Sequence, residues 1–184
     1  MSKTKSKRSN NQTQTPAIIE VTLIPETWIL SPKCTEEQLK RYYKKGWIDK
    51  EGLHLDRCFP RDAYGNPILF KLWLLAPMKR ALRKLGYSKE VLKFSIVDEN
   101  NNPVEYIKIP EKPLRYRRAI LNKEGLPEST ESFEYVDSTY ELKFRVLTPY
   151  PREFCEVLAL AGRIGLMSST RKGFGKFIVK FKTL

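Results

Sequence analysis

The chain has 184 residues, 41% hydrophobic and 30% charged, which suits one domain, or one domain with a large insertion, long enough to bury a core. Thirty-four Lys and Arg against twenty-one Asp and Glu give a formal charge of +13, pointing to a polyanionic partner, either nucleic acid or an anionic membrane. The membrane is disfavoured, because the longest apolar run, 68–78, is too short to span a bilayer and is broken by Lys71 and Pro77.

Residues 1–16 carry bases but no apolar segment, so a disordered basic tail is expected there rather than a signal peptide. From 17 to 24 the chain alternates, with Ile19, Val21 and Leu23 on one face, and predicts a strand closed by Pro25 and Pro32. Residues 35–46 read as a short helix with Thr35 as N-cap, acids in the first turn, bases in the last and Gly46 as the stop. A Gly-, Asp- and Pro-rich loop over 47–67 follows. A second helix is expected over 76–86, with Pro77 at its first position and Gly86 past its end.

The turn residues "DENNNP" between 91–97 and 104–109 predict a hairpin. Residues 114–122, "LRYRRAILN", suggest another strand, and the polar "KEGLPESTES" reads as a separator before the clearest strand, 140–147. There Tyr140, Leu142, Phe144 and Val146 oppose Glu141, Lys143 and Arg145, so one sheet face is buried and the other charged. Phe154, Val157, Leu158 and Ala161 recur at helical spacing over 151–162, with Gly162 as the expected end. The final strand, 174–182, sets Phe177, Val179 and Phe181 against Lys176, Lys180 and Lys182.

This order predicts an α+β, ferredoxin-like (RRM-like) βαββαβ domain over 17–184, with an antiparallel sheet and insertions at about 33–67 and 98–135. Cys34, Cys58 and Cys155 are odd in number and without CxxC spacing, which argues against a disulfide framework or zinc site and for reduced thiols in a cytoplasmic compartment.

Four of the nine glycines, Gly162, Gly165, Gly173 and Gly175, fall within residues 162–177 among Arg163, Arg171, Lys172 and Lys176. Glycine lets successive amides turn toward an anion at close range, while Ser168, Ser169 and Thr170 add hydroxyl donors, so this segment is suited to a phosphodiester chain. It is neither a Walker A loop nor a dinucleotide fingerprint, because it precedes a strand instead of opening a helix. The alternative is a tight helix-to-strand turn with solvated charges.

The arrangement of helix, glycine-rich segment and last strand resembles that of the RAMP superfamily of CRISPR-associated proteins, whose glycine-rich loop ends in G-[FY]-G, here Gly173, Phe174 and Gly175. A second match is "YGNP" at 64–67 followed by "MKRALR" at 78–83, similar to the Gly-x-Pro turn and Leu-Lys-Gly-Ala-Leu-Arg-like helix of the family's backbone subunits. The chain departs from that pattern in the apolar "ILFKLWLLAP" between them and in Arg80, where glycine is usual.

The resemblance implies an RNA-binding subunit of a CRISPR ribonucleoprotein, packed beside other effector subunits or copies of itself. Gly165, Ser168, Ser169, Thr170, Arg171, Lys172, Gly173 and Gly175 would grip guide RNA, with Lys79, Arg80 and Arg83 adding charge. Arg115, Arg117 and Arg118, interleaved with Tyr116, suit phosphate contact with base stacking; the alternative is a solvated strand face. Type III backbone subunits use a loop aspartate in metal-dependent cleavage of target RNA, and Asp62 is the candidate here, against a plain turn cap; a divalent metal is implied only in that case, and otherwise no cofactor is expected. His54, the sole histidine, would serve a repeat-processing endoribonuclease, although such enzymes usually have two ferredoxin-like halves. A third possibility is a virus- or plasmid-encoded protein for single-stranded nucleic acid. Trp28, Trp47 and Trp73 are read as core.

Overall fold

A computed structural model describes residues 15–166 and 173–184. Its centre is a five-stranded antiparallel sheet in the order β10-β1-β9-β4-β5, built from β1 (Ala17–Pro25), β4 (Ser95–Val97), β5 (Pro103–Val104), β9 (Leu142–Thr148) and β10 (Phe177–Thr183). Two helices, α2 (Lys71–Leu85) and α3 (Pro151–Ile164), pack against each other and against one face of this sheet. Read as β1, α2, β4, β9, α3, β10, the chain is βαββαβ, with the last and third strands flanking the first. The architecture is therefore the expected ferredoxin-like one, with additions.

Alternation along the strands separates the two faces. Val21 is paired with Phe144 and Phe181, and Leu23 with Leu142 and Val179, all toward the helices. Phe154, Val157, Leu158 and Ala161 of α3 close the same core and are completely buried, each large apolar side chain contributing about 1.5–3 kcal/mol. On the opposite face Glu20 lies between Arg145 and Lys182, and Thr22 between Lys143 and Lys180. That face is basic.

Two smaller sheets occupy the connections. β2 (Ile29–Leu30), β7 (Leu114–Leu121) and β8 (Pro127–Val136) form a three-stranded sheet in the order β2-β8-β7, while β3 (Ile68–Phe70) pairs with β6 (Tyr106–Lys108). Helix α1 (Glu36–Lys44) carries a full capping box between Thr35 and Gln38. It packs through Leu39 and Tyr42 on Ile48, Leu55 and Cys58 in a second, smaller core. The three cysteines are free, and Cys34 reaches the thiol of Cys58 beside the Lys33–Arg57 bridge.

Four local expectations are corrected. Residues 127–132 of the polar separator belong to β8, where Arg117 pairs with Ser132 and Arg118 with Glu131. Helix α2 starts at Lys71, whose N–H donates to Glu105 O at 2.8 Å, so Pro77 lies inside the helix, buried. Residues 89–92 form a 3-10 turn instead of the start of a strand. Helix α3 runs two residues past Gly162, which is buried against β10: an added Cβ would stand 2.1 Å from Phe177 O.

Candidate nucleic-acid interface

The glycine-rich turn is built by close backbone approach. Gly165 N–H donates to Ala161 O, Leu166 N–H to Gly175 O, and Gly175 N–H to Trp28 O, at 2.8–2.9 Å. Gly175 has φ +79°, and a Cβ there would lie 2.0 Å from Leu166 O, so only glycine fits. Lys176 O accepts from the amides of Glu26 and Thr27, and Lys176 N–H donates to Thr27 Oγ1. The amides of Gly165 and Gly175 are thus spent on the protein's own carbonyls. A Cβ on Gly173, with φ +86°, would meet no atom of the described residues within 4 Å. Ser168, Ser169, Thr170, Arg171 and Lys172 lie outside the described residues.

Beside this turn stands the β7–β8 hairpin. A groove of about 680 Å³ separates it from the 3-10 helix Glu51–His54, and His54, Asp56, Arg115, Tyr116, Arg117 and Ser132 line it. The fold therefore brings exposed His54 to the strand that carries Arg115 and Arg117, 61 residues or more away in sequence.

The three arginines differ in how far they are committed. Arg115 Nη1 bonds Asp49 Oδ1 at 2.6 Å, and this contact, with the Gly52 N–H, holds the Asp49 carboxyl far below the usual carboxylate range. Arg118 donates twice to Glu131 Oε2 and lies 5.3 Å from the Phe133 ring centroid; Arg57 holds Glu131 Oε1 at 2.5 Å. Arg117 is exposed, and its Nη2 donates to Thr130 Oγ1 at 3.2 Å. Beneath the hairpin, Glu134 is fully buried, accepting from Phe59 N–H and from Arg61 Nη2 at 2.7 Å.

Turn and hairpin are joined by aromatic rings. Trp28 stacks on Tyr135 at 4.3 Å and 25°, meets Tyr116 edge-on at 5.5 Å, and faces Phe174 at 6.3 Å and 30°. Trp28, Tyr135 and Phe174 are half-buried and Tyr116 is exposed. Trp47 and Trp73 are half-buried against the smaller and the main core, as expected, whereas Trp28 lies at the site instead. Its position between an apolar strand and a proline gave no local sign of this.

The remaining candidates are placed elsewhere. Asp62 is buried, and its carboxylate accepts from the N–H groups of Tyr64 and Asn66 and from Asn66 Nδ2, all at 2.9 Å. Burial opposes its ionisation, but these bonds and the charge of Lys108 outweigh burial and hold the carboxyl below its usual range. Among the described residues no three His, Cys, Asp or Glu side chains are grouped to hold a metal. Lys79, Arg80 and Arg83 are exposed on α2. Lys79 lines a separate cleft with Leu72, Trp73, Leu75 and Ala76, where Leu72 is 68% exposed. No helix among the described residues is long and apolar enough to cross a membrane.

Neither a protein-family model nor a curated protein matches the chain. In three dimensions it is similar to a chain in the cryo-EM structure of the Type III-B Cmr-beta bound to cognate target RNA, with a TM-score of 0.60 and 13% identity. The match covers 92% of this chain and 61% of that one, so this chain spans about three-fifths of its neighbour's length. The likeness is one of fold.

Proposed function

We propose that the chain is an RNA-binding subunit of a CRISPR ribonucleoprotein effector complex, of the RAMP type, working in the cytoplasm beside other subunits or copies of itself. The observation that carries this reading is the meeting of the glycine-rich turn with the Arg117-bearing hairpin, in a fold whose sheet face opposite the helices carries Lys143, Arg145, Lys180 and Lys182. The fold it shares with a chain of the Type III-B Cmr-beta, whose structure holds cognate target RNA, supports it. In this reading Ser168 to Lys172 and Gly173 grip the guide RNA backbone. Arg117 extends the track, and Lys79, Arg80 and Arg83 add positive potential. Arg115 and Arg118 act through the hairpin they brace. Asp62 caps the turn before β3, and binding needs no cofactor.

The test is the affinity of purified protein for a single-stranded guide RNA, wild type against Arg171→Glu with Lys172→Glu. The variant should lose most of its affinity, and unchanged binding would remove the turn from the site. Protein isolated from its host should bring a discrete small RNA and other subunits; arrival alone and RNA-free would overturn the assembly role.

Exposed His54 in the groove beside Arg117 favours a second reading, an endoribonuclease acting on CRISPR repeat RNA. There the imidazole would take the proton from a 2′-hydroxyl. Cleavage of repeat RNA that disappears in His54→Ala would establish it; intact RNA would dismiss it.

A further inference from the structure

We infer that the Trp28–Tyr116–Tyr135–Phe174 cluster is a stacking platform for one unpaired nucleobase, with Tyr116 the ring presented to the ligand. This rests on the RNA-binding reading above and adds to backbone grip a contact that only a base can make.

Four rings from four separate segments converge here: the connection after β1, strands β7 and β8, and the glycine-rich turn. Rings gathered only to fill a core are covered, as Phe133 is at 1% exposure beneath the same cluster. Tyr116 instead leaves 47% of its surface in solvent while its ring is held edge-on by Trp28 and tilted against Phe133 at 5.9 Å. A ring fixed in this way binds a planar partner without first losing rotamer freedom. Stacking tolerates any base, because every base has a π-face.

The surroundings select a nucleotide over other flat ligands. Arg117 follows Tyr116 by one residue, so strand alternation turns the two side chains to opposite faces of β7, and at this edge both line the groove with Ser132 and His54. β7 is the outer strand of its sheet, and a chain crossing that edge meets the cation and the aromatic ring together. A polymer that pairs an anion with a planar ring in each unit fits this spacing, and the net charge of +13 favours a polyanion. Through Phe174, the platform is continuous with the glycine-rich turn, so backbone and base are read at adjoining points.

The experiment compares two oligomers on the intact protein: oligoadenylate of twelve units, and the same ribose-phosphate chain with its bases removed. Wild type should bind the first about tenfold more tightly than the second. Tyr116→Ala should lose that preference while holding the abasic chain as before, and Tyr116→Phe should keep it. A ratio that stays the same in Tyr116→Ala overturns the platform and leaves the backbone grip standing. Failure of wild type to bind either oligomer overturns the RNA-binding reading, and this inference with it. Emission of Trp28, read in a Trp47→Phe, Trp73→Phe background, should be quenched by oligoadenylate and not by the abasic chain.

Discussion

The carbonyl oxygen of Phe177 stands 2.1 Å from the point where a β-carbon on Gly162 would sit, which fixes how closely α3 lies on β10. Alanine is the better helix former by about 1 kcal/mol, yet this contact is to backbone and cannot rotate away. Gly162→Ala should therefore destabilise the fold by about 3 kcal/mol, as overpacking of a core does. Urea unfolding followed by circular dichroism measures it, and a neutral result would show that α3 can slide outward.

Arg61 and Glu134 form an ion pair with side-chain exposures of 3% and 0%. Removing one partner strands the other charge, so Arg61→Met should cost about 3–5 kcal/mol. Replacing both, as Arg61→Met with Glu134→Leu, should recover part of the loss. Phe59 N–H would then lack its acceptor, so recovery stays incomplete. A double-mutant cycle by urea unfolding gives the coupling.

Burial works against ionised Glu131, but bonds from Arg57 and Arg118 outweigh it and lower its pKa from the ordinary value of 4.5. A carboxyl depressed on folding contributes stability that is fully present above its unfolded pKa and is lost as pH falls through the folded one. Wild type should thus lose stability as pH drops below about 4.5. Glu131→Gln should start lower at pH 7 and fall less steeply. Parallel slopes in the two proteins over that range would contradict the assignment.

Arg117 and Arg118 are neighbours with different work. Arg117→Glu should weaken RNA binding with little effect on stability and reduce the salt slope of affinity by about one. Arg118→Ala should lower the melting temperature, because Glu131 and the Phe133 ring lose their partner. Filter binding at several salt concentrations, paired with thermal melts, separates the two.

The central layers were legible because Val21, Phe144 and Phe181 each belong to a run with an apolar side chain at every second residue, and Phe154 to Ala161 follow the helical period. β8 was hidden because Pro127 to Thr130 are exposed and carry no apolar alternation. The start of α2 was missed for want of a side-chain cap on Phe70, while Pro77 imitated a start further on. Gly162 looked like a stop because its reason for being glycine lies fifteen residues away, at Phe177. Within the site, Arg115, Arg117 and Arg118 read alike in sequence. Asp49 and Glu131, which set them apart, are distant along the chain, and the nearness of Trp28 to Tyr116 depends on tertiary pairing alone.

β10 is the outermost strand on its side of the central sheet, so a row of its peptide groups lacks a neighbour among the described residues. Such a rim invites a foreign strand to zip on, and charge is the usual deterrent. Lys180 and Lys182 supply it: they repel a second copy approaching along the same rim. The residues that make this flank attractive to polyanions are thus the ones that keep concentrated protein from growing into ribbons, and neutralising them would exchange solubility for self-association.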